Sequence, residues 1–189
     1  MGMLRLIPGL AVLAPGDEKE LRPALHAALE YPGPVYIRIG KKGEPVVHET
    51  EPKFEIGKAL RVREGKEVWI LALGNTLPLA MEAATQLDSR GVVCGVASMG
   101  SLKPLDTRIL SEIFGSARVV ATLEEHSVLG GLGTAAAEWL AANAAAAKAK
   151  LVSFGTPDEF LHATTHQSSA RAWAGLTAEN ITDRIAKSV

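Results

Sequence analysis

The chain alternates short apolar, β-branched runs with longer stretches of helical character, and this alternation constrains the fold more than any other feature. Runs typical of strands cover residues 67–74, 92–98, 118–125 and 150–155. Stretches with helical spacing cover residues 77–87, 107–114, 133–147 and 177–187. Strands that are apolar on both sides and separated by helices are typical of a parallel sheet with both faces covered. The sequence therefore predicts an α/β fold with three layers, α/β/α, around a mostly parallel sheet.

A shorter β-α-β pattern precedes these elements. Residues 9–14 and 34–40 are predicted strands. Asp17 stands three residues before Glu20, which is the spacing of a capping box and predicts a helix start between the strands. Pro23 lies beyond the first turn, so we expect this helix to be kinked.

Residues 41–53 have the composition of a linker, since they are polar and charged and show no periodicity. We therefore predict two units. Residues 1–48 form a partial β-α-β unit with its linker, and residues 49–189 form a complete domain. Two strands and one helix cannot enclose a core, so we expect the partial unit to pack on the larger domain or on a second copy of the chain.

The composition of the 189 residues narrows the class of protein. Hydrophobic residues make up 47% of the chain and the formal net charge is −1, which indicates a packed globule and excludes a typical nucleic-acid-binding protein. Proline and glycine at positions 8, 9, 15 and 16 interrupt the apolar start, so no signal peptide or membrane span is expected. Cys94 lies in an apolar run, where an inert buried thiol in a reducing cytoplasm is expected.

The stretch "VATLEEHSVLGGLGTAAAEWLA" places acidic, imidazole and glycine residues between a predicted strand and a predicted helix. Backbone N–H groups at such a turn can bind an anion. The stretch lacks the Lys-Ser/Thr pair of a phosphate-binding loop and is not a dinucleotide fingerprint, so close packing and positive φ are favoured as the reason for the glycines. The glycines of this loop are Gly130, Gly131 and Gly133.

Three polar residues precede those glycines. Glu124 and Glu125 are adjacent at a strand end, so their side chains should point to opposite faces, and one of them could cap the following helix. His126 lies where open α/β sheets place ligands, but a polar or interface histidine is favoured because no second ligand or nucleophile stands beside it.

Two further groups of residues have a possible binding role. His162 and His166 are four apart and could share a helix face, but the segment "HATTH" lacks the glutamate and the cysteine of a metal site, so no metal is expected. Arg38, Lys41 and Lys42 end a predicted strand. They could hold a phosphate or carboxylate, or form a solvated charge run at the start of the linker, and both alternatives stay open.

Taken in order, these pieces resemble the transketolase family of thiamine diphosphate enzymes. The segment "IPGLAVLAPGDEKELRPALHAALEYPGPVYIRIGK" resembles the end of the family's pyrimidine-binding domain. The segments "FEIGKALRVREGKEVWILALGNTLPLAMEAATQL", "SLKPLDTRIL", "VVATLEEHSVLGGLGTAAAEWL" and "GTPDEF…GLTAENI" resemble the transketolase C-terminal domain, which implies a sheet of about five strands. The 1-deoxyxylulose-5-phosphate synthases and the beta subunits of 2-oxo-acid dehydrogenases are similar, but the ending looks most like transketolase, including its split two-subunit kind.

The resemblance implies that the chemistry lies outside this chain. In the family, the diphosphate and its metal bind an N-terminal domain, and the glutamate that activates the cofactor precedes the segment matched here. Glu18, Glu20 and Glu30 do not match that position, so the resemblance assigns no catalytic residue to this chain. Thiamine diphosphate and magnesium are expected in the complete enzyme and not on this chain alone.

The resemblance also assigns roles to two sites. Arg38 matches the family's strand arginine near the substrate phosphate, and Lys41 stands where several members have a second arginine. Lysine keeps the charge but lacks the bidentate fork of arginine. The segment that contains Glu124, Glu125, His126 and the glycine loop belongs to the family's C-terminal domain, so structural or interface roles are implied for it.

These expectations lead to one leading hypothesis and two alternatives. In the leading hypothesis, the chain is the C-terminal portion of a transketolase-like enzyme. The complete enzyme would move a two-carbon ketol unit between sugar phosphates. The chain alone would be inactive and would work as a homodimer or with a subunit that carries the cofactor site. The first alternative is a non-catalytic interaction or regulatory module, or the matching part of one of the two similar enzyme classes. The second is an anion or nucleotide binder that uses the glycine loop.

Overall fold

The computed structural model describes residues 1–41, 43–163 and 165–189. Its strands are β1 (Ala11–Leu13), β2 (Val35–Ile37), β3 (Leu60–Arg63), β4 (Val68–Leu73), β5 (Cys94–Ser98), β6 (Ser101–Lys103), β7 (Val119–Ser127) and β8 (Lys150–Thr156). Its α-helices are α1 (Gly2–Arg5), α2 (Glu18–Glu30), α3 (Leu77–Ser89), α4 (Thr107–Ser116), α5 (Leu132–Ala142), α6 (Gln167–Trp173) and α7 (Ala178–Ala186). Two 3-10 turns, Gly74–Thr76 and Ala144–Ala146, adjoin α3 and α5.

A five-stranded sheet in the order β3-β5-β4-β7-β8 forms the centre of the larger domain. Four of its strands are parallel to one another, and β3 is antiparallel at the edge. Helices α3 and α7 pack on one face of the sheet, and α4 and α5 pack on the other. The predicted three-layer α/β/α architecture is thereby confirmed.

Strand β4 shows why the sheet needs helices on both faces. All six of its side chains are buried. Val68 and Ile70 belong to the core beside α3, whereas Trp69 and Leu71 belong to the core beside α4. Because side chains alternate between the faces of a strand, a continuous apolar run buries both faces only when each face is covered.

A second, three-stranded sheet in the order β2-β1-β6 contains the predicted β-α-β unit. Strand β1 is parallel to β2 and antiparallel to β6, which comes directly after β5 of the large sheet. The first of the two packing alternatives, packing of the N-terminal unit on the larger domain, is thus confirmed. The boundary at residue 48 stays a prediction.

The capping residue of α2 is the one that the sequence predicts. Oδ1 of Asp17 accepts hydrogen bonds from the backbone N–H groups of Lys19 and Glu20, each at 3.0 Å. The side chain of Glu20 turns back to the N–H of Gly16, at 2.8 Å, one residue before the cap. Helix α2 runs from Glu18 to Glu30 through Pro23, and its kink stays a prediction.

Helix α5 ends at Ala142, five residues before the predicted end. The side-chain amide of Asn143 donates to the carbonyl oxygen of Trp139 at 2.8 Å and satisfies a terminal carbonyl there, which favours an end at this residue. In the described part of the chain, none of the helices has the length and apolar character needed to cross a membrane.

Candidate functional site

The carboxyl ends of four strands, β1, β2, β4 and β7, meet in one cleft between the two sheets. The cleft contains two adjoining cavities of about 370 and 150 Å³. Arg38, Gly40, Lys41 and Asn75 line both of them. Ligands of α/β proteins bind outside the carboxyl ends of parallel strands, so this cleft, which we name the Arg38 cleft, is the candidate site.

Arg38 is fixed in the cleft by a bond to the neighbouring sheet. Its Nη1 donates to the backbone carbonyl oxygen of Glu125 at 2.7 Å, and its side chain is partly buried. Lys41 is exposed. Lys42, the third member of the predicted cationic group, lies outside the described residues. Among the described residues, Arg38 and Lys41 are the cations that line both cavities. The lining carries charges of both signs, since Asp17, Glu18 and Glu44 line the larger cavity and Glu125 lines the smaller one.

Glu125 lies at the centre of a polar network on the other side of the cleft. Its carboxylate accepts hydrogen bonds from Nε of Arg171 at 2.7 Å, and from the amides of Asn75 and Gln167 at 3.2 Å each. Arg171 also donates to the backbone carbonyl oxygen of Asn75 at 3.2 Å. The charge of Arg171 is thus neutralised by Glu125, whereas Arg38 makes its bond to a neutral carbonyl group.

Glu124 points to the opposite face of the strand, as the alternation of strand side chains predicts. It is buried, and its two oxygens accept hydrogen bonds from the N–H groups of Leu132 and Gly133, each at 2.8 Å. These are N–H groups of the first turn of α5, where a carboxylate is stabilised by the helix dipole. Burial raises the pKa of Glu124, against the lowering effect of the two backbone hydrogen bonds.

The three glycines of the loop differ in what they provide. Gly130 has a φ of +81°, which favours glycine. A Cβ on Gly131 would lie 2.6 Å from Cδ of Glu124, and a Cβ on Gly133 would lie 2.8 Å from Oγ of Ser153. The loop therefore combines one left-handed turn with two close approaches, one of which makes room for the buried carboxylate.

His126 is held between two backbone groups. Its Nδ1 lies 2.8 Å from the carbonyl oxygen of Ser127 and donates to it, which leaves Nε2 to accept from the N–H of Gly2 at 3.2 Å. Burial lowers the pKa of His126, and the nearby charge of Arg38 acts in the same direction. In this arrangement both ring nitrogens have partners.

The sequence does not point to three residues that the structure places in the cleft network, Asn75, Gln167 and Arg171. Asn75 directly follows a predicted strand, and this position at a strand end is the one sequence signal that places any of the three residues in a binding cleft. Gln167 and Arg171 are four apart on α6, a short helix that the sequence does not predict. Its N-cap residue, His166, makes no side-chain capping bond, so the usual start signal is missing.

The structure separates the two histidines of the "HATTH" segment. Helix α6 begins after His166, so the shared helix considered for His162 and His166 is wrong. Both side chains are exposed. Among residues 1–41, 43–163 and 165–189, no group of three or more His, Cys, Asp and Glu side chains is placed to hold a metal ion.

Comparisons with known proteins give a consistent relationship. The family model described as "Transketolase, C-terminal domain" matches residues 57–181. A 1-deoxy-D-xylulose-5-phosphate synthase of Chlorobium luteolum is 36% identical over 98% of this chain and 29% of its own length. A protein of Methanocaldococcus jannaschii, named for the C-terminal section of a transketolase, is 33% identical over 98% of this chain and 57% of its own length.

The similarity extends to a solved structure titled "Split gene transketolase, inactive beta4 tetramer". It has a TM-score of 0.91 and 37% sequence identity, and the match covers 99% of this chain and 60% of that one. The chain thus spans between 29% and 60% of the length of these proteins. Because the family model matches well over half of its residues, this chain belongs to the transketolase C-terminal domain family.

Proposed function

We propose that this chain is the C-terminal portion of a transketolase-like thiamine diphosphate enzyme, which transfers a two-carbon ketol unit between sugar phosphates together with a segment or subunit that carries the cofactor site. The match of residues 57–181 to the transketolase C-terminal domain is the observation that carries this proposal. The partial coverage of each longer relative supports the need for further segments.

The described residues do not fit a magnesium-diphosphate site. They contain no group of three or more side chains that could hold a metal ion, and we derive no step through the cofactor. The contribution that we assign to this chain is binding: Arg38 and Lys41 would contact the phosphate end of a sugar substrate from the carboxyl end of β2. A guanidinium with one bond to a backbone carbonyl group keeps further N–H donors for such an anion.

Assembly with other chains is part of the proposal. Met3, Leu6 and Leu29 are between 83% and 86% exposed, and we assign them to the surface that a second copy or a completing subunit would cover. We also propose a reducing cytoplasm as the location, because the chain has a single cysteine and therefore no internal disulfide.

A reconstitution experiment tests the proposed reaction. The chain alone should show no saturable heat with thiamine diphosphate and magnesium, and no ketol transfer from a ketose phosphate to an aldose phosphate. After addition of the N-terminal transketolase subunit from the same source, both signals should appear. Saturable cofactor binding by the chain alone would show that the site has been placed wrongly.

A second candidate follows from the relatives, since the synthase of Chlorobium luteolum matches nearly the whole chain at 36% identity. In that case the reconstituted protein would form 1-deoxy-D-xylulose-5-phosphate instead of transferring a ketol unit. Chromatography of the products of one reaction mixture distinguishes the two activities.

The proposed phosphate contact gives a prediction for Arg38. Replacing Arg38→Ala should weaken the binding of sulfate, used as a stable phosphate mimic, by about ten-fold or more, because charge-assisted hydrogen bonds to the anion are lost. Arg38→Lys should recover part of this loss because it keeps the charge without the fork. Amide chemical shifts in a titration of the full chain report the affinity.

Arg90 provides the matched control for this prediction. It is bound to Asp183 at 2.7 Å on the outer surface and does not line the cleft. Arg90→Ala should bind sulfate like the unmodified chain. Equal affinities of the Arg38→Ala and Arg90→Ala variants would contradict the assignment of Arg38.

A further inference from the structure

The large sheet ends at β8, and the outer edge of this strand is open. Strand β8 pairs with β7 on one side and, in the described part of the chain, with no strand on the other. The N–H of Lys150 donates to the carbonyl oxygen of Arg118, just before β7, at 2.8 Å. Because alternate residues of a parallel strand bond to one neighbour, Leu151 and Ser153 direct their backbone N–H and C=O groups to the outer edge. This edge is therefore a template for one more strand.

An open groove of about 470 Å³ lies along this edge. Residues 150–153 of β8 form one of its walls. The other wall is the end of α7 and the residues directly after it, through Arg184, Lys187 and Ser188. Nζ of Lys150 lies 3.5 Å from Oγ of Ser188, so the two walls meet at one end. We name this feature the β8 groove.

The lining of the β8 groove carries charge of one sign. Lys150, Arg184 and Lys187 line it, and no aspartate or glutamate of the described residues does. All three cations are exposed, and none of them forms an ion pair within the part of the chain that the structure describes. The formal net charge of the whole chain is −1, so this excess of positive charge is local.

Arg184 is held in a defined position beside the edge. Its guanidinium lies over the ring of the buried Phe154, with Cζ 4.3 Å from the ring centroid. Its Nη2 donates to the carbonyl oxygen of Ser153 over a long distance of 3.4 Å. A guanidinium with one long bond of this kind keeps further N–H donors, and these donors are suited to a carboxylate.

The positive charges also decide between two possible occupants of the edge. A second copy of β8 would bring its own cations against the same cations, and lysine on an edge strand protects against such self-pairing. An extended segment that carries carboxylates would instead meet charge of the opposite sign. The charge of the groove therefore favours an acidic partner over a second copy.

The spacing of the carboxylates in such a segment follows from the strand geometry. Val152 and Phe154 point into the core beside α7, and Lys150 shares their face because it stands two residues before Val152. The cations of the groove thus lie on the α7 side of the edge. An added strand directs every second side chain to that side, so its acidic residues should stand at every second position.

We propose that the β8 groove binds an extended acidic segment of another chain, which adds to the sheet as a strand beside β8 and places its carboxylates against Lys150, Arg184 and Lys187. Main-chain hydrogen bonds to the edge supply affinity, and the charges select the partner. The groove shares no lining residue with the Arg38 cleft, so this inference does not rest on the proposed function.

A designed peptide tests the proposal on the full chain. The probe is a capped octapeptide of alternating glutamate and threonine, and amide hydrogen exchange is measured with and without it. At saturation, the N–H groups of Leu151 and Ser153 should exchange about ten-fold more slowly or less, because they gain main-chain partners. The N–H of Lys150, which is already bonded to Arg118, should change little. The proposal is overturned if the peptide does not bind, or if it binds without protecting Leu151 and Ser153.

Charge reversal in the groove tests the recognition of the carboxylates. Lys187→Glu should weaken binding of the peptide by about ten-fold or more, because repulsion replaces attraction. Lys53→Glu is the matched control, since it changes the net charge equally at a side chain that is 87% exposed and does not line the groove. This control should bind the peptide like the unmodified chain, and unchanged protection of the β4 amides shows that both variants are folded. Equal losses in the two variants would contradict the assignment of the groove.

Two further probes separate strand addition from attraction of any anionic polymer. A peptide with lysine in place of every glutamate should not bind. A single-stranded oligothymidylate with the same number of negative charges as the acidic peptide has no main chain that can pair with β8, so it should not displace that peptide. Displacement at an equal concentration would show that the groove recognises a nucleic acid or charge alone, and the proposal of an acidic strand would fail.

Discussion

Gly131→Ala is expected to lower the free energy of unfolding by about 3 kcal/mol or more. A Cβ at this position would lie 2.6 Å from Cδ of Glu124, a buried side chain that cannot move into solvent without leaving its site. Its displacement would break both hydrogen bonds to the first turn of α5. For a chain of this size, the expected decrease in Tm in thermal unfolding is about 6 to 12 °C.

Gly91→Ala is the control for this prediction because it separates backbone strain from contact. Gly91 has a φ of +80° and no atom within 4 Å of an added Cβ, so its substitution costs only the strain of a left-handed residue, about 1 to 2 kcal/mol. Gly131 has a φ of −88°, where an added Cβ causes no such strain. A loss in Gly131→Ala no greater than that in Gly91→Ala would contradict the role of the Glu124 contact.

The sequence predicts the large sheet well because its parallel strands are buried on both faces. Such strands appear as continuous apolar runs, and β4, β5, β7 and β8 each overlap a run that the sequence shows. Strand β6 has no such signal. It is a three-residue segment, "SLK", which becomes a strand by pairing with β1, some ninety residues earlier in the chain. Tertiary contact, and not local preference, determines such elements.

The candidate site is predictable only where a strand end marks it. Arg38 and Lys41 end a run that the sequence identifies as a strand, and period-two alternation predicts the opposite directions of Glu124 and Glu125. The linker segment 43–48, whose Gly43 and Glu44 line the cleft, has no comparable signal. His48 lies in a charged linker without periodicity, and its partner Asp17 is 31 residues earlier, where its capping role already accounts for it. The two oxygens of one carboxylate can accept hydrogen bonds from two different segments of the chain. The sequence indicates only the contact of Asp17 with the start of the helix.

Substitution of Glu124 should change stability in a way that depends on pH. Glu124→Ala leaves two buried N–H groups of α5 without acceptors, so we expect a loss of about 2 to 4 kcal/mol. Glu124→Gln keeps one acceptor oxygen but turns an NH2 group toward the second N–H, so a smaller loss is expected. Urea unfolding of the full chain at several pH values measures both effects.

The direction of the pH dependence follows from the raised pKa of Glu124, for which burial is the main cause. Its pKa in the folded chain lies above that in the unfolded chain, so the folded state binds more protons between the two values. The stability that this group contributes is fully present below the unfolded pKa, near 4.3 for a glutamate, and is lost as the pH rises through the folded pKa.

The free energy of unfolding of the unmodified chain minus that of Glu124→Gln should therefore decrease as the pH rises from about 4 toward neutral. Comparing the two proteins at each pH cancels the titration of the carboxyl groups that they share. Burial also raises the pKa of Glu20, so this residue supplies an independent test of the same reasoning. The free energy of unfolding of the unmodified chain minus that of Glu20→Gln should also decrease as the pH rises. If the stability curves of the unmodified chain and Glu124→Gln run parallel from pH 4 to pH 7, Glu124 binds no extra proton in the folded state, and the backbone N–H groups of α5 outweigh its burial.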